Sequence, residues 1–121
     1  MQFNLDQDDT IVLVRGYEPG CIFLRDETLR HSAIVTSTQA RPWDATVVAD
    51  LSENHFAAVL ELRPEIVLLG SGLKLEFPSQ AVMATVLSQG IGFEIMDTAA
   101  ACRTYNILAM EGRNVAAALL V

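Results

Sequence analysis

From Glu65 to Val121 strand-like and helix-like segments alternate, and this alternation constrains the fold more than any other feature of the chain. Glu65 to Leu69 is a short, mostly apolar run closed by Gly70-Ser71-Gly72, which is the length and composition of a buried strand. Ser79 then offers an N-cap for a helix with Val82, Met83, Val86 and Leu87 on one face, and Gly90 stops it. Phe93 to Met96 reads as the next strand, Thr98 as the cap of a helix running to about Met110, and Val115 to Val121 as a last apolar strand. Strands this apolar must be covered on both faces, so strand, crossover helix and strand form βαβ units, which are nearly always right-handed. The expected fold is α/β with a mixed sheet and a βαβαβ C-terminal half.

The first half reads as β-rich. Ile11 to Val14 is a short apolar run closed by Gly16, Pro19 and Gly20; Cys21 to Leu24 resumes it, Asp26-Glu27 offers a turn, and Leu29 to Thr36 continues. Two to three strands in a meander fit these runs. Ser37 to Asp44 reads as a loop carrying Trp43, and Ala45 to Ala49 as a brief extended piece. Ser52 then caps a helix in which Phe56, Val59 and Leu60 recur at helical spacing, until Arg63, which Pro64 pushes out of helical geometry.

At 121 residues the chain suits one domain, 1–121, and a composition 51% apolar with seven Gly and four Pro is that of a packed globule. A net charge of −7 repels phosphate backbones and anionic lipid, and the eight Lys and Arg residues form no run, so nucleic acid is not an expected partner. No apolar run approaches the ~20 residues that span a bilayer, so membrane insertion is not expected. Met1 to Asp9 carries three aspartates and no basic residue, unlike a leader, and Cys21 and Cys102 fit neither a zinc site nor a disulfide framework. A cytoplasmic location, no metal and no cofactor are the expectations.

Two places carry candidate sites. Gly70, Ser71 and Gly72 lie at the carboxyl end of a predicted strand, where open α/β sheets place ligands and where small residues let a ligand approach the backbone. Asp97 and Thr98 end the neighbouring strand, so a parallel pairing would bring an acid and two hydroxyls together. A tight turn needing positive φ is the favoured reading of the glycines, and helix capping that of Asp97 and Thr98. The dinucleotide fingerprint is incomplete, because Leu75 stands where a third glycine would open a helix, and no Walker-type Gly-Lys-Ser/Thr occurs either. His31 and His55 pair with no nucleophile, so no catalytic residues are assigned, and Cys102 reads as a small core residue.

The second place is the helix from Thr98 to Met110. A step of ~100° per residue puts Ala101, Cys102, Tyr105, Leu108 and Ala109 on the sheet-facing side, and Arg103, Ile107 and Met110 opposite them. An exposed Ile and Met beside an Arg is the composition of a partner-binding patch, unless another layer of the protein covers it. Asn106 falls at the border of the buried face, where its amide can satisfy backbone groups of an adjoining loop.

Gly70-x-Gly72, Met96-Asp97-Thr98, Ala101-Cys102-Arg103-Thr104-Tyr105-Asn106 and Glu111-Gly112-Arg113 together resemble a small domain-of-unknown-function family. That family includes the mitochondrial complex I assembly factor 3 and an adipogenesis-associated cytosolic protein. The resemblance is most specific between Pro64 and Leu120. It implies a three-layer α/β domain with a mixed central sheet and an additional β portion, and no firmly attached enzymatic reaction. It also implies a role in assembly through protein contacts. The leading expectation is a non-enzymatic accessory protein with an unidentified protein partner. The alternative is a small-molecule binder or enzyme at the sheet edge near Ser71 and Asp97, and a homo-oligomer is compatible with either.

Overall fold

The structure, a computed structural model, describes residues 10–121; the leader reading of Met1 to Asp9 lies outside them. Its larger sheet has five strands in the order β5-β4-β8-β6-β7, and a smaller one runs β1-β2-β3. The small sheet comprises β1 (Gly16–Glu18), β2 (Cys21–Phe23) and β3 (Thr28–Leu29), all antiparallel. The large sheet begins with the antiparallel pair β4 (Ala33–Val35) and β5 (Ala40–Pro42). After α1 (Glu53–Glu61) come β6 (Ile66–Gly70), α2 (Gln80–Leu87), β7 (Gly92–Met96), α3 (Thr98–Met110) and β8 (Val115–Leu119).

The βαβαβ half is as expected. β6 pairs in parallel with β7 on one side and with β8 on the other, while β8 meets β4 antiparallel, which makes the sheet mixed. The step from β6 to β7 and the step back across β6 to β8 run in opposite directions. A right-handed crossover can reverse direction only by changing faces. Accordingly α2 packs with α1 on one face and α3 lies on the other, giving three layers.

Each strand's alternation divides the core in two. Leu68, Val115, Ala117 and Leu119 face α3 and the small sheet, joining Val14, Tyr17, Ile22, Cys102 and Tyr105. Val67, Leu69, Ala116 and Ala118 face the other helices, joining Trp43, Phe56, Val59, Val82 and Val86. All five residues of β8 are buried, because this strand is central and covered on both faces. Trp43 anchors α1: its indole N–H donates to the His55 carbonyl at 2.8 Å and its ring meets Phe56 edge-on at 5.5 Å. Ser52 and His55 form the capping box that opens α1. Arg63, ahead of Pro64, leaves the helix at φ 50°.

Four expectations for the first half are corrected. Ser37 to Asp44 is not all loop, because Ala40–Pro42 within it pairs antiparallel with β4 as the edge strand β5. Ile11 to Val14 is not a strand, because Val12 N–H goes to the Ser37 carbonyl and both backbone groups of Val14 are taken by a side chain of α3. Leu29 to Thr36 divides between β3 and β4, which belong to different sheets. The extended piece at Ala45 to Ala49 gives way to a single 3-10 turn at Val48–Asp50, which buries Val48 and Leu51 beneath α1.

Candidate functional site

β6 lies between β7 and β8 with helices on opposite faces, so its carboxyl end is the switch point where an open α/β sheet leaves a crevice. The structure does bring the five predicted residues together there. Ser71 N–H donates to the Met96 carbonyl at 2.8 Å, and Thr98 N–H donates to the Gly72 carbonyl at 2.9 Å. The Thr98 hydroxyl accepts from Gly72 N–H at 2.8 Å and donates to the Leu120 carbonyl at 2.6 Å, while Leu120 N–H returns to the Gly70 carbonyl at 2.9 Å. Thr98 is fully buried and joins the ends of three neighbouring strands.

Glycine at 70 has a definite reason. A Cβ built there would sit 2.9 Å from Thr98 Oγ1 and 3.1 Å from Thr98 Cα, so the group that approaches this backbone is the start of α3. Gly72 takes φ +103°, the turn geometry that favours glycine. Capping is also redistributed: the N-cap of α3 is Asp97, whose carboxylate accepts from Ala100 N–H at 2.9 Å, and Thr98 is the first helical residue. A carboxylate suits that position because it meets unpaired N–H groups at the positive end of the helix dipole.

Ser71 is also engaged: its hydroxyl donates to the Lys74 carbonyl at 2.7 Å and accepts from Glu76 N–H at 3.1 Å, folding the following loop back on itself. A depression of about 260 Å³ opens beside this loop, with Thr46, Val47, Ser71, Gly72, Lys74 and Glu76 among its walls; neither Asp97 nor Thr98 lines it. Two depressions of about 430 Å³ lie elsewhere, one beside Ile11–Leu13 and the Leu24–Glu27 turn, the other where α1 and α2 begin. Ser52, on the wall of the last of these, has its hydroxyl 3.2 Å from His55 Nδ1 within the capping box of α1, and no group of three metal-ligating side chains occurs among the described residues.

α3 presents the faces its periodicity predicts. Ala101, Cys102, Tyr105 and Ala109 are buried, Leu108 is partly buried against the same core, and Arg103, Ile107 and Met110 are exposed, Ile107 at 55% and Met110 at 45%. Burial pushes the Cys102 thiol up to about 12, leaving it protonated and unreactive. Burial likewise raises the Tyr105 hydroxyl, which donates to the Val12 carbonyl at 2.6 Å. Asn106 clamps Val14 in both directions: its Oδ1 accepts from Val14 N–H at 2.9 Å and its Nδ2 donates to the Val14 carbonyl at 2.8 Å. Arg113 donates to Glu65 at 2.9 Å and, with Asn114 N–H, holds that carboxyl below its ordinary range. The motif residues Thr98, Tyr105, Asn106 and Arg113 therefore all have architectural partners.

One exposed feature escaped sequence reasoning. Leu73, Leu75 and Phe77 stand 70%, 54% and 66% exposed in the loop after β6. The signal was present, three large apolar residues alternating with Lys74 and Glu76, but alternation of this kind predicts a strand with one buried face. Among the described residues no strand pairs with it, and the apolar side chains stand exposed.

The sequence profile of a family described as "Protein of unknown function (DUF498/DUF598)" matches residues 14–120. Among characterised sequences, the NADH dehydrogenase [ubiquinone] 1 alpha subcomplex assembly factor 3 of Rattus norvegicus is 40% identical over 80 residues, 64% of this chain and 43% of that protein. This chain thus spans less than half of that relative's length. A "13 kDa major membrane protein" of Francisella tularensis subsp. holarctica is 27% identical over 111 residues, 90% of each chain. The solution structure of a Xanthomonas campestris protein superposes with a TM-score of 0.84 at 38% identity, covering 100% of this chain and 92% of that one.

Proposed function

We propose that this chain, which belongs to the DUF498/DUF598 family of proteins of unknown function, is an accessory protein of the assembly type that binds a protein partner through the outer face of α3. The observation that carries this reading is the exposure of Ile107 and Met110 beside Arg103 on a well-formed helix whose other face is fully committed to the core. A rigid helix needs no backbone ordering when its side chains are covered, and Met adapts to an irregular surface. The relatives named as assembly factors support the same class of role. The engagement of the Ser71 and Thr98 hydroxyls within the fold favours it over a ligand pocket at the sheet edge.

Affinity purification of the tagged protein at native abundance, wild type against Ile107→Glu, tests the proposal. The variant keeps the wild-type melting temperature and loses a partner that the wild type retains. Recovery of every partner by the variant would show that α3 is the wrong surface. The proposed compartment is the cytosol, where Cys21 and Cys102 persist as free thiols. Cell fractionation should leave the protein in the supernatant, and recovery with the membrane pellet would overturn that placement. No helix among the described residues is long and apolar enough to cross a membrane.

A further inference from the structure

The five-stranded sheet ends on two unlike edges. On β5, Pro42 has no N–H to offer, and the Arg41 guanidinium is tied to the Ala58 carbonyl at 3.1 Å. On β7 the inward bonds belong to even-numbered residues: Gly92 N–H donates to the Glu65 carbonyl at 3.1 Å, and the Met96 carbonyl accepts from Ser71 N–H at 2.8 Å. Successive residues of a strand turn their backbone groups to opposite sides, so Phe93 and Ile95 direct N–H and C=O away from β6. Among the described residues no strand, loop or side chain meets those four groups.

We infer that β7 is a strand-addition site that accepts an extended, basic segment of another protein. Two outward residues separated by one other present donors and acceptors at ~6.6 Å intervals, the repeat of an extended chain and of little else. Glu94 stands exposed between them and is the only charged side chain on the strand. In the antiparallel register that overlaps all five residues, a second copy would set Glu94 against Glu94, and like charges directly opposite destabilise a sheet. The chain's charge of −7 adds to that repulsion. A Lys or Arg opposite Glu94 removes the conflict, so the carboxylate both deters self-pairing and selects a basic partner. This inference rests on the accessory-protein reading for its biological use, though not on the α3 face.

The test titrates isotope-labelled protein with a capped Lys-Val-Lys-Val-Lys peptide and follows amide exchange by NMR. The peptide slows exchange at Phe93 and Ile95. Glu94→Lys weakens its binding by roughly tenfold and shifts preference to Glu-Val-Glu-Val-Glu. Ile107→Glu leaves peptide binding unchanged, so a failed α3 surface and a failed β7 edge give different results. The inference is overturned by unchanged exchange at millimolar peptide, or by wild type binding the acidic peptide equally well. Protection of Phe93 and Ile95 that appears without peptide and grows with protein concentration would instead identify a second copy as the occupant.

Discussion

The βαβαβ half and the N-terminal β portion are ordered by different means. β6, β7 and β8 pair over five residues each, and α2 and α3 carry side-chain N-caps, so most backbone groups there are satisfied by neighbours in the same half. The strands of the small sheet are three, three and two residues long, too short to persist unsupported. Their approach from Ile11 to Arg15 is held by α3: Tyr105 takes the Val12 carbonyl and Asn106 takes both backbone groups of Val14, 92 residues away in sequence. One half carries its hydrogen bonds locally, while the other borrows them from a distant helix.

Breaking that loan should have the largest effect. Asn106→Leu keeps the side chain's size but strands two buried backbone groups, at a cost of about 3 kcal/mol. Hydrogen exchange should show residues 11–29 losing protection well before β6 and β8; uniform loss across both halves would mean the halves are not ordered separately. Thr98→Val removes one hydroxyl that serves Gly72 and Leu120, at about 2 kcal/mol by denaturant unfolding. That loss belongs to the junction of β6, α3 and β8, so β8 protection should fall more than that of the small sheet.

Arg113→Gln sharpens the contrast with the smallest effect, because its partner Glu65 also lies within the second half and both are exposed. The sign follows from the depressed Glu65 carboxyl, held down first by the Arg113 hydrogen bond. Its contribution is present above the ordinary carboxylate range and disappears as pH falls through the folded value. The small difference in melting temperature between wild type and variant should therefore close on acidification, and exchange in the small sheet should not move.

The legibility of the molecule divides along the same line. Ser79, Gly90, Pro64 and the apolar faces of α2 and α3 are local signals, and the second half followed them closely except at Leu87, which was grouped with Val82 and Val86 on α2 but stands exposed. Ile11 to Val14 looked like a strand because apolar runs do, yet its partner is an amide on α3, which no window of neighbouring residues contains. The sheet-edge residues were correctly placed together, but their use was not legible: Gly70-Ser71-Gly72 has the same composition whether a ligand or Thr98 fills the space above Gly70. Leu73, Leu75 and Phe77 were missed because exposure depends on which strands pair.

The sequence by itself determined the order of strands and helices from Glu65 onward, the mixed α/β class and the two faces of α3, since periodicity and capping act over a few residues. Tertiary structure alone decided that Thr98 closes the crevice, that Asn106 holds Val14 and that β7 is left as an open edge. Those outcomes depend on which distant groups meet, and a hydrogen bond is specified by position in space rather than by distance along the chain.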